Sequence, residues 1–422
     1  MKLLIKNAKI IPMTKQEILS SDIYIEDGII KEIEKNIDRE SDQVIDASNA
    51  VVMPGLINCH THVAMSLFRN YADDYDLNTW LTQKIWPLES KLNADDVYYA
   101  SLLSAIEMVK TGTTTFADMY FLENETYKAI TKLSLRAQLA TGLTDFNGEG
   151  YETLDIAEDF FENYNDKNEV YAAFGPHAVY TTNEVYLREI SKRAKEKNIP
   201  MHIHLSETKK ENEDAKRDFN KTPTQIMNDC GIFDQKTIAA HGVYLEDVDL
   251  DILRNKDVSI VHCPSSNLKL ASGFLDVKRL MDNNINVCLG TDSSASNNHL
   301  SLLKEMNLTA LVSKKDDPTN LKAYDVLKMA TINGAKALGI DDRIGSVEVG
   351  KEADLIIIDI NNVNHVPYNN LISSICYSTY ENDIRDVIIK GEIVYRDRKF
   401  LKINEDEVIK EANERFEKLR NR

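Results

Sequence analysis

The sequence has no C-X-X-C pair, no long uncharged run and no excess of positive charge. Its five cysteines, Cys59, Cys230, Cys263, Cys288 and Cys376, are odd in number and scattered. That pattern argues against a disulfide framework or a cysteine-built metal site and fits a reducing cytoplasm. No window approaches the roughly 20 apolar residues that a membrane helix requires. Lys and Arg number 50 against 68 Asp and Glu, a net charge of −18. Acidic residues spread along the chain argue against nucleic acid and against an anionic membrane as partner. The opening stretch MKLLIKNAKIIPM alternates apolar and polar residues, so it reads as a strand and not as a cleaved leader.

What is present is alternation of strand and helix. At 422 residues the chain exceeds one ordinary core, so a large barrel or two domains is expected. Eight apolar segments read as strands: GLINCHTH, TTTFADMY, RAQLATGLT, VYAAFGPHAVY, PMHIHLSET, TIAAHGVYL, SIVHCPSSNLKL and NVCLGTDSS. Helical stretches fill most of the intervals, and the pattern predicts a (β/α)8 TIM-type barrel over residues 54–344. One interval shows the logic. Asn93 caps, Asp95 and Asp96 occupy the first turn, Val97, Ala100, Leu103 and Val109 keep helical spacing, and Gly112 stops the helix. Strand-rich text at residues 1–53 and from Gly345 onward predicts a small β-sandwich assembled from both chain ends, residues 1–53 and 345–422. The charged tail after Asn404 reads as a solvated helix.

Residues 51–66, VVMPGLINCHTHVAMS, place two histidines two apart at the end of a strand. Residues i and i+2 of a strand share a face, so His60 and His62 project together while Cys59 turns to the core. Two imidazoles on one face suit Zn²⁺ or Fe²⁺; one buried and one solvated histidine is the alternative. The other strand ends add weight. His177, His204 with Glu207, His241, His262 and Asp292 all fall where a barrel gathers its functional groups. Seven of the nine histidines, counting His202, lie in these segments, which a random scatter does not produce.

PGLINCHTH, HIHLSE, AAHGVYL and LGTDSSASNN resemble the four signatures of the amidohydrolase superfamily. Within it, NTWLTQKIWPLES, FGPHAVY, HLSET and SSNLKLASG are most similar to the 5-methylthioadenosine/S-adenosylhomocysteine deaminases. The resemblance implies one Zn²⁺ per subunit, with Fe²⁺ second, on His60, His62, His204 and Asp292. The fourth strand carries no lysine to bridge a second metal. It implies Glu207 as proton shuttle, His241 and Asp292 as its catalytic partners, and Glu89 and His177 as contacts to the ribose and purine of an adenine nucleoside. Phe68, Trp80, Leu81 and Trp86 lie in a long segment expected over the barrel mouth, where they either meet a hydrophobic 5′-thioether of the substrate, Trp80 foremost, or pack that segment against the barrel. His202 is placed behind the ligands, His262 as a satisfied structural residue, and His299 and His365 at the surface.

The resemblance implies hydrolytic deamination of 5′-methylthioadenosine, S-adenosylhomocysteine or adenosine. Guanine, cytosine or triazine aminohydrolysis on the same fold is the alternative, and a catalytically dead scaffold is a further one. Homo-oligomerisation is left open. One departure stands out: LATGLTDFNGEGYETLDIAED, where the family is expected to carry arginines for an amino-acid carboxylate, holds no Arg or Lys. Asp145, Glu149, Glu152 and Asp155 are expected to repel such a carboxylate, which disfavours S-adenosylhomocysteine unless Lys209 or Lys210 folds inward.

Overall fold

The computed structural model describes residues 1–145, 148 and 150–422. Eight parallel strands follow one another in chain order: Leu56–Thr61, Thr113–Tyr120, Arg136–Leu143, Val170–Pro176, Met201–Leu205, Thr237–His241, Ser259–His262 and Val287–Leu289. The eighth returns beside the first through a seam built largely from side chains. Asp292 N donates to His60 O at 2.9 Å. Asn58 donates to Thr291 Oγ1 at 2.8 Å and accepts from Thr291 N at 3.0 Å. Gly290 is needed at this approach, because a Cβ there would stand 2.8 Å from the His60 Cβ. Closure therefore sets His60 and Asp292 side by side.

The helix expected after the first strand runs over Ala94–Lys110 and is capped as its sequence indicates. Asn93 accepts from Asp96 N, and Asp96 in turn accepts from Asn93 N, both at 3.1 Å. Gly112 follows with φ +89°, a left-handed conformation that ends the turn at low cost.

A second, nine-stranded mixed sheet draws on both chain ends. Its junction is Ala50–Pro54 running antiparallel to Leu355–Asp359. Period-two alternation divides these two strands between cores. Val52, Leu355 and Ile357 join Leu3, Ile5 and Ile23 in the core of this sheet, whereas Val51, Met53, Ile356 and Ile358 join the barrel core. Buried Arg136, at the start of the third barrel strand, ties the two layers together through Glu169, Glu352 and Asp354.

Several sequence expectations are corrected. SSNLKL does not continue the seventh strand: Pro264–Lys269 is helical, with Pro264 fixing φ at the first position. GSVEVGK is not strand, because Gly345 and Gly350 take φ +89° and +96°. The fourth barrel strand stops at Pro176, so His177 lies just past its end. The tail helix, Glu405–Arg420, is not simply solvated. Val408, Ala412 and Leu419 are buried, and Arg415 pairs with Asp95 at 2.8 Å. His365 is interior, with Nδ1 at 2.6 Å from Ser374 Oγ and Nε2 at 3.3 Å from Asp383. His299 is half exposed, as expected of a surface residue. Among the described residues no helix is long and apolar enough to cross a membrane.

Candidate active site

The strand ends bring their polar residues into one cavity of about 460 Å³, within the usual range for small-molecule sites. His62, Glu89, His177, His204, Glu207, His241 and Asp292 all line it. His60 lies beneath them, fully buried.

Three imidazoles are oriented from behind. His62 Nδ1–H donates to Met119 O at 2.6 Å and His204 Nδ1–H donates to His177 O at 2.9 Å. His60 Nδ1 meets His202 Nε2 at 2.8 Å. His202 is thus the support of His60, and second-sphere support of this kind fixes which nitrogen is left free. The free nitrogens converge. His62 Nε2 lies 3.4 Å and His60 Nε2 3.7 Å from Asp292 Oδ1, and His204 Nε2 lies 3.3 Å from His62 Nε2. Donors about 2.1 Å from a common centre in a tetrahedron stand about 3.4 Å apart, so the spacing fits a four-coordinate cation. Buried His60 Nε2 has no hydrogen-bond partner, which a metal would supply. Burial holds the pKa of both His60 and His204 well below the ordinary imidazole range, and neutral imidazole is the form that ligates. His60, His204 and His241 form an overlapping cluster, and His241 also meets Glu207.

His241 Nδ1–H donates to Asn267 Oδ1 at 2.8 Å, leaving Nε2 3.8 Å from Glu207 Oε2. Burial pulls its pKa down, but the Glu207 and Asp292 carboxylates outweigh it and set the pKa above the ordinary value. Glu207 is itself buried, which raises its carboxyl pKa. Its Oε1 accepts from Ser272 Oγ at 3.1 Å, and its backbone N–H donates to Glu211 at 2.8 Å. Asp292 Oδ2 accepts from Ser266 Oγ at 2.6 Å. His241 and Asp292 both hold left-handed backbone, φ +76° and +59°. Such conformations cost about 1–3 kcal/mol each in non-glycine residues and cluster at functional sites.

On the other side, Glu89 Oε1 accepts from Tyr120 OH at 2.6 Å, and burial raises the Glu89 pKa. His177 is brought down to about 4 by burial, then by His62 and His241. Trp80 lines the cavity, and its buried indole N–H has no acceptor. Phe68 does not reach the cavity but packs with Ala64, Val97 and Ala100. Cys59 is a core residue, as expected. His262 is buried as expected, yet its Nδ1 has no partner, so it is not fully satisfied.

Tyr120, Ser266, Asn267, Ser272 and Glu211 are not singled out by the sequence. Tyr120 closes the second barrel strand, where convergence at the mouth could flag it. Ser266 and Asn267 lie inside the segment that reads as strand, which conceals them. Of the acidic residues invoked against a carboxylate, Asp145, Glu152 and Asp155 do not line the cavity. Asp145 accepts from Asn183 at 2.7 Å, Glu152 is exposed, and Asp155 pairs with Arg193. Glu149 lies outside the described residues. Lys209 pairs with Glu213 at 3.1 Å and Lys210 with Asp214, both largely exposed.

The model of the Amidohydrolase family matches residues 51–394. The 5-methylthioadenosine/S-adenosylhomocysteine deaminase of Thermoanaerobacter pseudethanolicus is 44% identical over 428 residues, covering 99% of each chain. The 5′-deoxyadenosine deaminase of Methanosarcina mazei is 41% identical, covering 99% of this chain and 98% of its own. An adenosine deaminase from Xanthomonas campestris, solved with bound zinc, superposes with a TM-score of 0.96 at 30% identity, over 100% of this chain and 99% of its own. With the family match spanning most of the chain and relatives aligned end to end, this chain belongs to the amidohydrolase family.

Proposed function

We propose that this chain hydrolyses the exocyclic amine of adenine nucleosides to give the inosine derivative and ammonia, with His60, His62, His204 and Asp292 holding one Zn²⁺. The observation that carries the reading is the shared cavity. Glu89 and His177 line the same nucleoside-sized space as His62, His204, Asp292 and Glu207. Relatives named for 5′-deoxyadenosine and for 5-methylthioadenosine support the substrate class.

Hydrolytic deamination needs a water able to ionise, a proton on the ring nitrogen beside the attacked carbon, and a protonated leaving amine. When bound, the metal supplies the Lewis acidity that lets water ionise near neutral pH. Asp292, with Oδ2 held by Ser266 Oγ and Oδ1 by the Ser293 N–H, is fixed beside the imidazole cluster as the carboxylate that takes a proton from the attacking water. Glu207 moves the others. A buried carboxyl with a raised pKa gives its proton to purine N1, and the two protons of the water then go one to the departing amine and one back to Glu207. His241, locked by Asn267, presents Nε2–H to stabilise negative charge as it develops. Neutral His177 contacts the purine, Glu89 accepts from the ribose hydroxyls, and Trp80 packs against the nucleoside.

A screen of ammonia release from adenosine, 5′-methylthioadenosine, 5′-deoxyadenosine, guanine and cytosine tests this reading. Turnover of the nucleosides and none of the free bases is expected. Preferential turnover of guanine or cytosine would contradict it, because a free base gives Glu89 no diol to bind.

A further inference from the structure

Behind the site, on the helix Leu302–Val312, Glu305 is fully buried. Its Oε1 accepts from Ser265 Oγ at 2.6 Å and from Asn297 Nδ2 at 2.9 Å, and its Oε2 accepts from Ser265 N–H at 3.0 Å. All three donors are neutral. Burial raises the pKa to about 6, so at neutral pH the ionised form, which only accepts, meets them. Taking a carboxylate out of water is unfavourable. Glu305 does not line the cavity, and no step of the reaction above uses it.

The residues it binds belong to the turns that follow the seventh and eighth barrel strands. Ser265 lies in the helical turn Pro264–Lys269, whose N-cap Cys263 supplies no side-chain cap. The next two residues are Ser266, which donates to Asp292 Oδ2 at 2.6 Å, and Asn267, which accepts from His241 Nδ1–H at 2.8 Å. Asn297 also donates through Nδ2 to the carbonyl of Thr291, the residue before Asp292, at 2.8 Å, and its N–H donates to Ser293 O at 2.9 Å. Asp292 and His241 both hold left-handed backbone, which persists only where the surroundings enforce it. One carboxylate therefore clamps from behind the two turns that hold them.

We propose that Glu305 is a positioning residue for the reaction: by clamping the Ser265 and Asn297 turns together it sets the aim of both Asp292 and His241. The proposal rests on the nucleoside deaminase reading above, which gives those two side chains their roles. Both oxygens of a carboxylate accept, whereas a glutamine in the same place turns an NH2 group toward one of the three donors. The clamp then opens on one side. Asp292 and His241 act on the water and on developing charge, while Glu89 and His177 hold the nucleoside. A misaimed pair therefore lowers kcat and leaves KM alone. A role confined to holding the fold would show in the melting temperature and not in the kinetics of the folded enzyme.

The test compares the parent with Glu305→Gln in Zn²⁺ affinity, measured by competition with a chelator, and in kcat and KM for 5′-methylthioadenosine at saturating Zn²⁺. Replacing a residue that orients a metal ligand changes affinity or activity by about 10–100-fold. Glu305→Gln is expected to weaken Zn²⁺ binding about tenfold and to lower kcat about tenfold or more, with KM within about twofold of the parent. Asn297→Ala, which cuts the link to Thr291, is expected to lower kcat by about threefold or more, again with KM unchanged; it carries the test alone if Glu305→Gln does not fold. In a Ser266→Ala/Asn267→Ala background the turn touches neither Asp292 nor His241, and adding Glu305→Gln is expected to lower kcat by less than about threefold. Parent-like Zn²⁺ affinity and kcat in the single variants, whatever their melting temperatures, would overturn the proposal. So would an undiminished loss in the Ser266→Ala/Asn267→Ala background, which would show Glu305 acting by another route. A parent that deaminates no adenine nucleoside would overturn the functional reading and this role with it, a result distinct from the other two.

Discussion

Glu207 and Tyr120 mark the two ends of what single residues contribute here. Glu207 is separated from His204 by only two residues, yet its backbone is turned and pinned by Glu211, and its carboxyl points at His241 rather than at the imidazole cluster. Glu207→Gln is expected to retain its metal and to lose about 10² or more in kcat, the usual scale for a positioned acid or base. Loss of metal in that variant, measured by elemental analysis, would make Glu207 a ligand. Tyr120 acts through its neighbour: its hydroxyl holds Glu89 at 2.6 Å. A hydrogen bond to a charged acceptor contributes about 1.5–3 kcal/mol, so Tyr120→Phe is expected to raise KM for ribonucleosides about tenfold and leave kcat and the melting temperature nearly unchanged. With a 2′,3′-dideoxynucleoside the variant and the parent should converge. A lowered melting temperature with equal losses for both substrates would reduce Tyr120 to packing.

At the scale of elements, the strands are easier to read than the turns and helices that succeed them. Period-two and β-branched runs place the eight barrel strands, and the rule that a barrel gathers function at one end picks out His60, His62, His204, Glu207, His241 and Asp292 from sequence position alone. The features that escape depend on contacts distant in sequence. Nothing in SSNLKLASG says that it leaves the strand as a helical turn whose Ser266 and Asn267 reach Asp292 and His241. Nor does the alternating charge of the tail reveal that Leu419 is fully buried, or that Arg422 reaches buried Asp96 of the Ala94–Lys110 helix. That helix runs beneath the segment carrying Trp80 and Glu89. Leu419→Asp buries an unpaired charge, and a destabilisation of about 3 kcal/mol or more is expected, read as a fall in denaturation midpoint. An unchanged midpoint would show that the tail only rests on the surface.

Over the whole molecule, the barrel and the nine-stranded sheet are joined by an ionic cluster as well as by apolar burial. Burial alone would raise the pKa of Glu169, but Lys390, Arg136 and Arg343 bring it down from 4.5 to about 2. A carboxyl depressed in the folded state contributes stability above its unfolded pKa and loses it as pH falls through the folded one. This contribution is therefore expected to be complete above pH 4.5 and to disappear toward pH 2. In Glu169→Gln that part of the acid dependence should be missing from denaturation curves; an unchanged profile would assign the acid limb to other carboxyls. The net charge of −18 adds self-repulsion on the alkaline side of this window.

The central claim is that His60, His62, His204 and Asp292 hold one Zn²⁺ on which deamination depends. Metal-stripped protein titrated with Zn²⁺, with 5′-methylthioadenosine deamination followed at each addition, tests it most directly. The account predicts no turnover at the start and a linear rise that breaks at about one Zn²⁺ per chain, with His60→Ala flat throughout. Full activity before any metal is added, or a break at two per chain, would contradict it.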